Sequence, residues 1–515
     1  MGEVQGRNGG GSGSSAATRW ILLAAFMNVA VIGTTMGLRN SLWFDEACTI
    51  FTTSAGPLDA FQRALRFEQQ PPLYFGLAWL WRQLYPSVEF LRLLSVLFIC
   101  GTIFLLWRMS EDLRLGSRWW SLALLGALTP HVLWAASEAR VYALTLLLVT
   151  ASTWLFFRLM DEAREVRAAD LLAYVAASYL GLLTFYYVGF VLVGHGIAGL
   201  LSPRRRALLG AQVAVGVLLL PWMPAILQQF GGRQQYLPPL EWTVAPFGVA
   251  WLWQLVQWCG GIVTLTIFRA APFMRSPAGA ALLLATLVFI TACRLLPGAR
   301  RIPASEWRLV VAGGIPVLIL MGLRVSNLSL VEERHWIVAV PGILLLLGLA
   351  LEGTAPGWPR RVAVAATFLV FAGGTASYVR NYRGQGDWKW VAGYLNGHAR
   401  AGDPIVFFAT DGALPFSYYF PRSNPTYQIP EPDKTRPYTE VTLTPADRDR
   451  AREAMAEARA SGGLWLLEKA GLPPDSGLAM LRRFTDDSLA VTDSLFMPRT
   501  RARRIAVAAR SQASR

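Results

Sequence analysis

Trp20-Ile-Leu-Leu-Ala-Ala-Phe-Met-Asn-Val-Ala-Val-Ile-Gly-Thr-Thr-Met-Gly-Leu38 is followed at once by Arg39-Asn-Ser-Leu-Trp-Phe-Asp-Glu46. The first stretch has the length and apolarity a helix needs to cross a hydrocarbon core about 30 Å thick. No small-residue cleavage site follows it, so it reads as a retained span rather than a signal peptide. The second stretch puts two adjacent carboxylates, Asp45 and Glu46, behind an aromatic pair at the membrane–water boundary. Acid placed there points to chemistry on a molecule that lies in the membrane. The blander alternative is a solvated loop acid beside an interfacial aromatic belt.

The rest of the chain fits a membrane bundle. Of 515 residues, 54% are hydrophobic and only 16% charged, a balance that excludes an ordinary soluble domain. Apolar runs recur at 20–38, 90–108, 119–136, 141–158, 170–187, 188–202, 207–227, 278–296, 309–323, 336–351 and 361–378. Each is near the ~20 residues a spanning helix needs, so about eleven transmembrane helices are expected. The net charge of +15 would suggest nucleic acid in a soluble protein. Here the arginines cluster in short loops: Arg108, Arg114 and Arg118; Arg158, Arg164 and Arg167; Arg204 to Arg206; Arg294, Arg300, Arg301 and Arg308; Arg360 and Arg361. The positive-inside rule accounts for them, and no nucleic-acid module is visible.

A cytoplasmic N-terminus puts all these loops on one side, provided that 243–268, with its Pro, Gly and Gln, stays interfacial or re-entrant. The expectation is a multi-pass protein of the inner (cytoplasmic) membrane. Its first long loop, 39–89, and everything after about 379 then lie outside the cytoplasm. The Gly/Ser-rich 1–19 is expected to be disordered. Cys48, Cys100, Cys259 and Cys293 show neither metal spacing nor a disulfide framework.

From 379 to 498 the rhythm changes to that of a small extracytoplasmic α/β domain. Asp387-Trp-Lys-Trp-Val-Ala-Gly-Tyr-Leu reads as a helix. Pro404-Ile-Val-Phe-Phe and Gly463-Leu-Trp-Leu-Leu read as buried strands. Thr444 to Ala460 has an N-cap threonine, a proline just inside and a charged face. The Asp447-Arg-Asp449 triplet on it reads as a solvated face, and 499–515 as a basic tail. Asn327-Leu-Ser329 fits a glycosylation pattern but hugs the membrane and is discounted.

Ionisable residues inside spans are functional candidates by default. His195 is the deepest, and a packing histidine is the favoured reading. The others gather at outer span ends: Asp45 and Glu46, Glu138 and Arg140, Tyr186 and Tyr187, then Glu332, Glu333, Arg334 and His335, with His131 just beneath. A transporter keeps its binding groups near the bilayer midplane. Groups collected on one face suit an enzyme that meets a lipid-linked substrate at headgroup level. Arg holds phosphate with a permanent charge and a forked geometry, and a carboxylate can take a proton from a hydroxyl. Together they suit transfer of a group from a lipid phosphate to an alcohol. The alternative is a non-enzymatic carrier or flippase of lipid-linked saccharides, which a polar track through the spans would favour.

The early Asp-Glu pair, Gln70-Pro-Pro-Leu-Tyr74, Glu138-Ala-Arg-Val-Tyr142 and Glu332-Glu-Arg-His-Trp336 resemble membrane-embedded glycosyltransferases of the GT-C fold. The nearest branch is the bacterial one with protein O-mannosyltransferase-like, aminoarabinose transferase-like and lipid A-core galacturonosyltransferase-like enzymes. The resemblance covers about residues 20–420. It implies a polyprenyl-phosphate sugar donor, inversion at the anomeric carbon, surrounding membrane lipids, and a glycan, lipid or protein acceptor. It makes Asp45 the catalytic base and Glu46 its support. Arg140 and Arg334 become donor-phosphate contacts, and Glu138, Tyr142, Gln70, Tyr74, Tyr187, Glu333 and His335 become supporting residues. Asp45, Glu46, Arg140 and Arg334 are expected to line one outward-facing cavity. Gln70 stands where many relatives carry His, which counts against metal assistance. A divalent cation is the one cofactor the resemblance leaves open.

Overall fold

A chain in lipid must satisfy every backbone N–H and C=O within itself, so the long apolar runs fold as helices. The computed structural model describes residues 11–113, 121–234, 271–273, 276–300, 304–325, 331–382, 384, 386–430, 443–469 and 475–508. Among them seven helices are long and apolar enough to cross a membrane: Arg19–Arg39, Val88–Asp112, Tyr142–Met160, Arg205–Gln229, Glu306–Leu323, Glu333–Glu352 and Trp358–Asn381. Ala168–Leu182, Val188–Leu200 and Ala281–Leu295 are shorter apolar helices. The protein is an integral membrane protein. The segments 243–268 and Asn327-Leu-Ser329 lie outside the described residues.

The chain divides into two compact units, one of 1–38 and 52–382, the other of 39–51 and 383–515. In the first, several expected elements differ in detail. The N-terminal helix starts at Gly11, so part of the stretch expected to be disordered is helical; extending a formed helix costs far less than nucleating one. The run 119–136 is two helices, Ser121–Ala127 and Pro130–Ala136. Proline lacks an N–H to continue a helix and holds the preceding residue extended, as Thr129 is at ψ 116°. The run 336–351 begins as a tight turn, Glu333–Ala339, before the helix Val340–Glu352.

Hydrogen bonds gather the arginine-rich loops at one end of this unit. The Asp112 carboxylate takes Arg158 at 3.3 Å and Arg164 at 2.8 Å. Arg308 pairs with Glu162 at 2.9 Å, and Arg204 donates to the carbonyls of Leu159, Glu162 and Arg164. Arg294 donates to the Leu349 carbonyl, and the Ala355 N–H to that of Cys293, which ties in the loop that holds Arg360.

In the second unit β1 (Ile405–Phe408), β2 (Thr426–Ile429), β3 (Gly463–Lys469), β4 (Ser488–Phe496) and β5 (Thr500–Ala508) form a sheet of order β2-β1-β3-β5-β4. β1 is parallel to β2 and β3, while β3–β5 and β5–β4 are antiparallel. Side chains alternate faces along a strand, so β1 serves two cores. Val406 and Phe408 pack with Met455 and Ala458 of the helix Pro445–Ser461, and Ile405 and Phe407 with Trp388 and Leu395 of the helix Trp388–His398. That double burial is why β1 reads as a continuous apolar run.

Two readings of this unit need correction. Residues 500–508, expected in a basic tail, are β5, because the buried Arg503 meets Glu468 of β3 and Asp475 and so enters the sheet neutralised. Asp447 is not solvated: it closes a capping box with Thr444, accepting from its N–H at 2.9 Å, and is buried. Asp449 is exposed, as expected.

Close packing of the membrane unit rests on small residues. A Cβ on Gly342 would lie 2.7 Å from the Gly313 carbonyl oxygen of the neighbouring helix Ala304–Val325, whereas one on Gly314 would meet nothing within 4 Å. Gly342→Val is therefore expected to destabilise by about 1–3 kcal/mol through overpacking, with Gly314→Ala close to neutral. Thermal unfolding of both variants in detergent, read side by side, checks this.

Candidate functional site

The helix Tyr142–Met160 has its C-terminal end among the arginine loops and its N-terminal end at the candidate site. Its 19 residues separate the two by about 28 Å at 1.5 Å per residue. Before it, the chain leaves the helix Pro130–Ala136 through Ser137-Glu-Ala-Arg140, all buried. The Ser137 hydroxyl is 2.9 Å from the Tyr378 hydroxyl, and the Glu138 carbonyl accepts from the Ser95 hydroxyl at 2.7 Å. This turn is thus fixed by two other helices, and Arg140 is held at the head of the next.

Arg140 is 2% exposed, and its Nη1 meets Glu68 Oε2 at 3.1 Å. The other Glu68 oxygen accepts from the Thr52 hydroxyl at 3.2 Å. The guanidinium also lies over the Phe75 ring, 6.0 Å from its centroid. Glu68 ends a wide helical turn, Ala64–Glu68, and Gln69 follows in the left-handed region at φ 53°. That reversal, with Pro71 and Pro72 unable to extend a helix backwards, starts the helix Leu73–Arg82 and buries Tyr74 and Phe75 beneath it. Gln70 is half-buried on the same turn, and its N–H donates to the Ala64 carbonyl.

An aromatic chain adjoins. Tyr142 packs on Trp134 at 5.0 Å and edge-on to Phe185 at 6.1 Å. Phe185 stacks on Tyr187 at 4.9 Å, and both touch the His335 ring, Tyr187 at 4.4 Å. His335 Nδ1 accepts from the Glu332 N–H at 3.1 Å, which in the neutral ring leaves the proton on Nε2. Arg334 is held by Glu332, with Nη2 to Oε1 at 3.0 Å. Glu333 is half-buried beside them. Glu138, Arg140 and Tyr142 thus lie within five residues at one helix start, and Tyr187 and His335 are in direct ring contact.

Asp45 and Glu46 fall in the other compact unit. They open the helix Phe44–Thr52, where carboxylates favour the helix dipole. The Tyr419 hydroxyl accepts from the Leu42 N–H at 2.8 Å, and the Ser41 hydroxyl accepts from the Lys389 N–H at 3.0 Å, so the segment is seated within that unit. Adjacent helical residues point about 100° apart, and the two acids differ accordingly: Glu46 is fully buried, while Asp45 is partly exposed.

His195 packs as expected. It stacks on Phe156 at 4.3 Å, with Nδ1 3.3 Å from the Tyr174 hydroxyl. Among the described residues no group of three or more His, Cys, Asp or Glu is arranged to hold a metal ion. Glu68 was missed by sequence reasoning. Its signal was slight: one acid just before Gln69-Gln70-Pro71-Pro72, in the same long loop as Asp45 and Glu46.

No family model matches the chain, and no curated protein does. Solved structures do. ArnT from Cupriavidus metallidurans bound to undecaprenyl phosphate aligns over 96% of this chain and 98% of its own, with a TM-score of 0.54 at 12% identity. The same protein in its apo state aligns over 95% and 98%, at 0.55 and 13%. The chain has the GT-C fold. At 12–13% identity the likeness extends to the fold alone. An oligosaccharyltransferase from Archaeoglobus fulgidus, in complex with Zn and sulfate, aligns over 87% of this chain and 68% of its own, with a TM-score of 0.45 at 12% identity.

Within this GT-C bundle the Glu68–Arg140 pair can be tested directly. Removing one partner of a buried pair typically costs about 3–5 kcal/mol, because the other charge stays in a poor solvent. Glu68→Ala and Arg140→Ala are each expected to destabilise strongly, and the double variant by clearly less than their sum. A double-mutant cycle of denaturant unfolding should give a coupling above about 1 kcal/mol; additive effects would show the pair to be independent.

Proposed function

We propose that this protein is an inverting glycosyltransferase. It moves a hexosyl or pentosyl group from a polyprenyl-phosphate donor to an acceptor hydroxyl on a glycan, lipid or protein. The observation that carries the reading is the alignment, over nearly the whole of both chains, with a structure that holds undecaprenyl phosphate. Two arrangements support it. Arginine and carboxylate, the groups such a transfer needs, are both present away from the arginine-rich loops, and Asp45 of the acid pair is the partly exposed one.

In the proposed reaction Asp45 takes the proton of the acceptor hydroxyl as its oxygen attacks the anomeric carbon. The bond from that carbon to the phosphate oxygen breaks, and the polyprenyl phosphate leaves with the electron pair. The sugar is thereby inverted. Arg140 stabilises the charge that grows on the departing phosphate, and Arg334 is a second cation for it. Glu68 is the positioning residue that fixes the Arg140 guanidinium. Glu46, buried beside Asp45, orients the acid helix rather than sharing the proton. Glu138, Tyr142, Gln70, Tyr74, Tyr187, Glu333 and His335 shape the surroundings.

The topology we propose has about eleven crossings, with the arginine loops in the cytoplasm and the residues after about 379 outside it. The convergence of those loops on one end of the membrane unit supports this arrangement. A reporter fused after Tyr382 is expected to be active only on the outer side. Activity confined to the cytoplasm would reverse the orientation.

Asp45→Asn keeps the shape of the side chain and one acceptor oxygen but cannot take a proton. It is expected to lower turnover by about 10²–10⁴ with donor binding intact. Arg140→Ala should weaken donor binding as well, since it removes a charge-assisted contact to phosphate. In vitro transfer from a polyprenyl-phosphate sugar, with donor binding measured separately, distinguishes the two. Near wild-type turnover after neutralising both Asp45 and Glu46 would remove the acid pair from the mechanism, and absence of any transfer by the wild-type protein would instead favour a carrier of lipid-linked saccharides.

A further inference from the structure

The second unit holds a groove of about 670 Å³ that the transferase reading does not use. Arg448, Arg452, Arg482 and Arg483 line it, together with Phe484 and Asp486. Arg448 and Arg452 are four apart on the helix Pro445–Ser461 and so share a face. Arg482 and Arg483 open the single turn Arg482–Phe484. Two separate elements therefore bring four guanidinium groups to one concavity, against one carboxylate.

Other arginines of the unit are neutralised by carboxylates. Arg450 is paired with Asp447, Arg459 with Asp487, Arg503 with Glu468 and Asp475, and Arg504 with Asp403. In the groove, Arg452 meets Asp449, an exposed pair at 2.8 Å. Arg448, Arg482 and Arg483 have no carboxylate partner among the described residues. Like charges at this helical spacing work against the helix, so local preference is set aside here, as it often is at a binding site. The adjoining turn is fixed: Arg459 Nε donates to Asp487 at 2.6 Å, and the Thr485 hydroxyl donates to the same carboxylate at 2.9 Å, beside Asp486.

We propose that this groove binds a multiply charged phosphate, as a diphosphate or a phosphate ester. Guanidinium forks match phosphate oxygens, and the three arginines without a carboxylate partner, set against Asp486 alone, still exceed what one carboxylate ligand would neutralise. The volume leaves room beside the phosphate for the group it esterifies, with the Phe484 ring as an apolar wall. The ligand comes either from solution or from an anionic lipid headgroup. The groove lies wholly within one unit and stands or falls independently of the transferase reading.

The test is titration of inorganic pyrophosphate into the full-length protein in phosphatidylcholine nanodiscs, followed by calorimetry. Saturable binding that weakens as salt rises is expected. The Arg482→Gln/Arg483→Gln variant should weaken it at least tenfold, while Arg400→Gln, outside the groove, leaves it unchanged. Thermal unfolding confirms that the variants are folded. Repeating the titration in phosphatidylglycerol nanodiscs separates the sources: suppressed binding there assigns the groove to a lipid headgroup, and equal binding assigns it to a soluble phosphate. Absence of saturable binding in phosphatidylcholine discs, or a double variant that binds as tightly as wild type, overturns the proposal.

Discussion

Burying Arg140 is costly unless its charge is met, and Glu68 meets it. The desolvation penalty of an ion in a protein interior amounts to several kcal/mol even after relaxation. An arginine at the head of a membrane helix therefore dictates where an acid from another part of the chain must lie. The turn Ala64–Glu68, the left-handed Gln69 and the two prolines bring it there. Once seated, that turn starts the helix Leu73–Arg82, whose Tyr74 and Phe75 close over the same place. The chemistry proposed for Arg140 depends on this geometry, because a guanidinium held by a carboxylate has a defined direction.

The first unit has two polar ends with different characters. At one, arginines outnumber acids and are spread over several loops, each tied to a neighbour through Asp112, Glu162 or backbone carbonyls. Such partly exposed pairs contribute little individually, but together they gather the helix ends. At the other stand one buried pair and a run of mostly buried aromatic rings from Trp134 to His335. A low-dielectric setting strengthens whatever electrostatic contact forms there. The end rich in exposed charge suits orientation in a membrane, and the other end holds the buried Arg140 on which the proposed donor contact rests.

The second unit solves a different problem. Its sheet inserts a basic strand, β5, next to β3, and does so by pairing Arg503 with Glu468 and Asp475. The Glu468 carboxylate also accepts from the Gly477 N–H at 2.8 Å, so the buried acid is satisfied on both oxygens. Where arginines in this unit are paired they hold the fold together. Where they are left facing a groove, they are available to a ligand.

Much of the membrane architecture was legible because the hydrophobic requirement is local: about twenty consecutive apolar residues are needed whatever surrounds them. The long spans from Trp20, Tyr142 and Trp358, the cap at Thr444 and the doubly buried strand Ile405–Phe408 were all visible in this way. So was the placing of Arg140 and Tyr142 at one helix start, since they are only two residues apart in the chain. The break at Pro130 and the strands β4 and β5 were not read, because a strand is stabilised by partners distant in sequence and its charges are tolerable only when those partners neutralise them. Glu68 belongs to the same class: its sequence neighbourhood marks it as a loop acid, and only the tertiary structure sets it against Arg140. The sequence by itself determined which segments are apolar enough to enter lipid and which groups could do chemistry. Tertiary structure decided which charges meet, because the free energy of a buried charge depends on what lies within a few ångströms in space rather than along the chain.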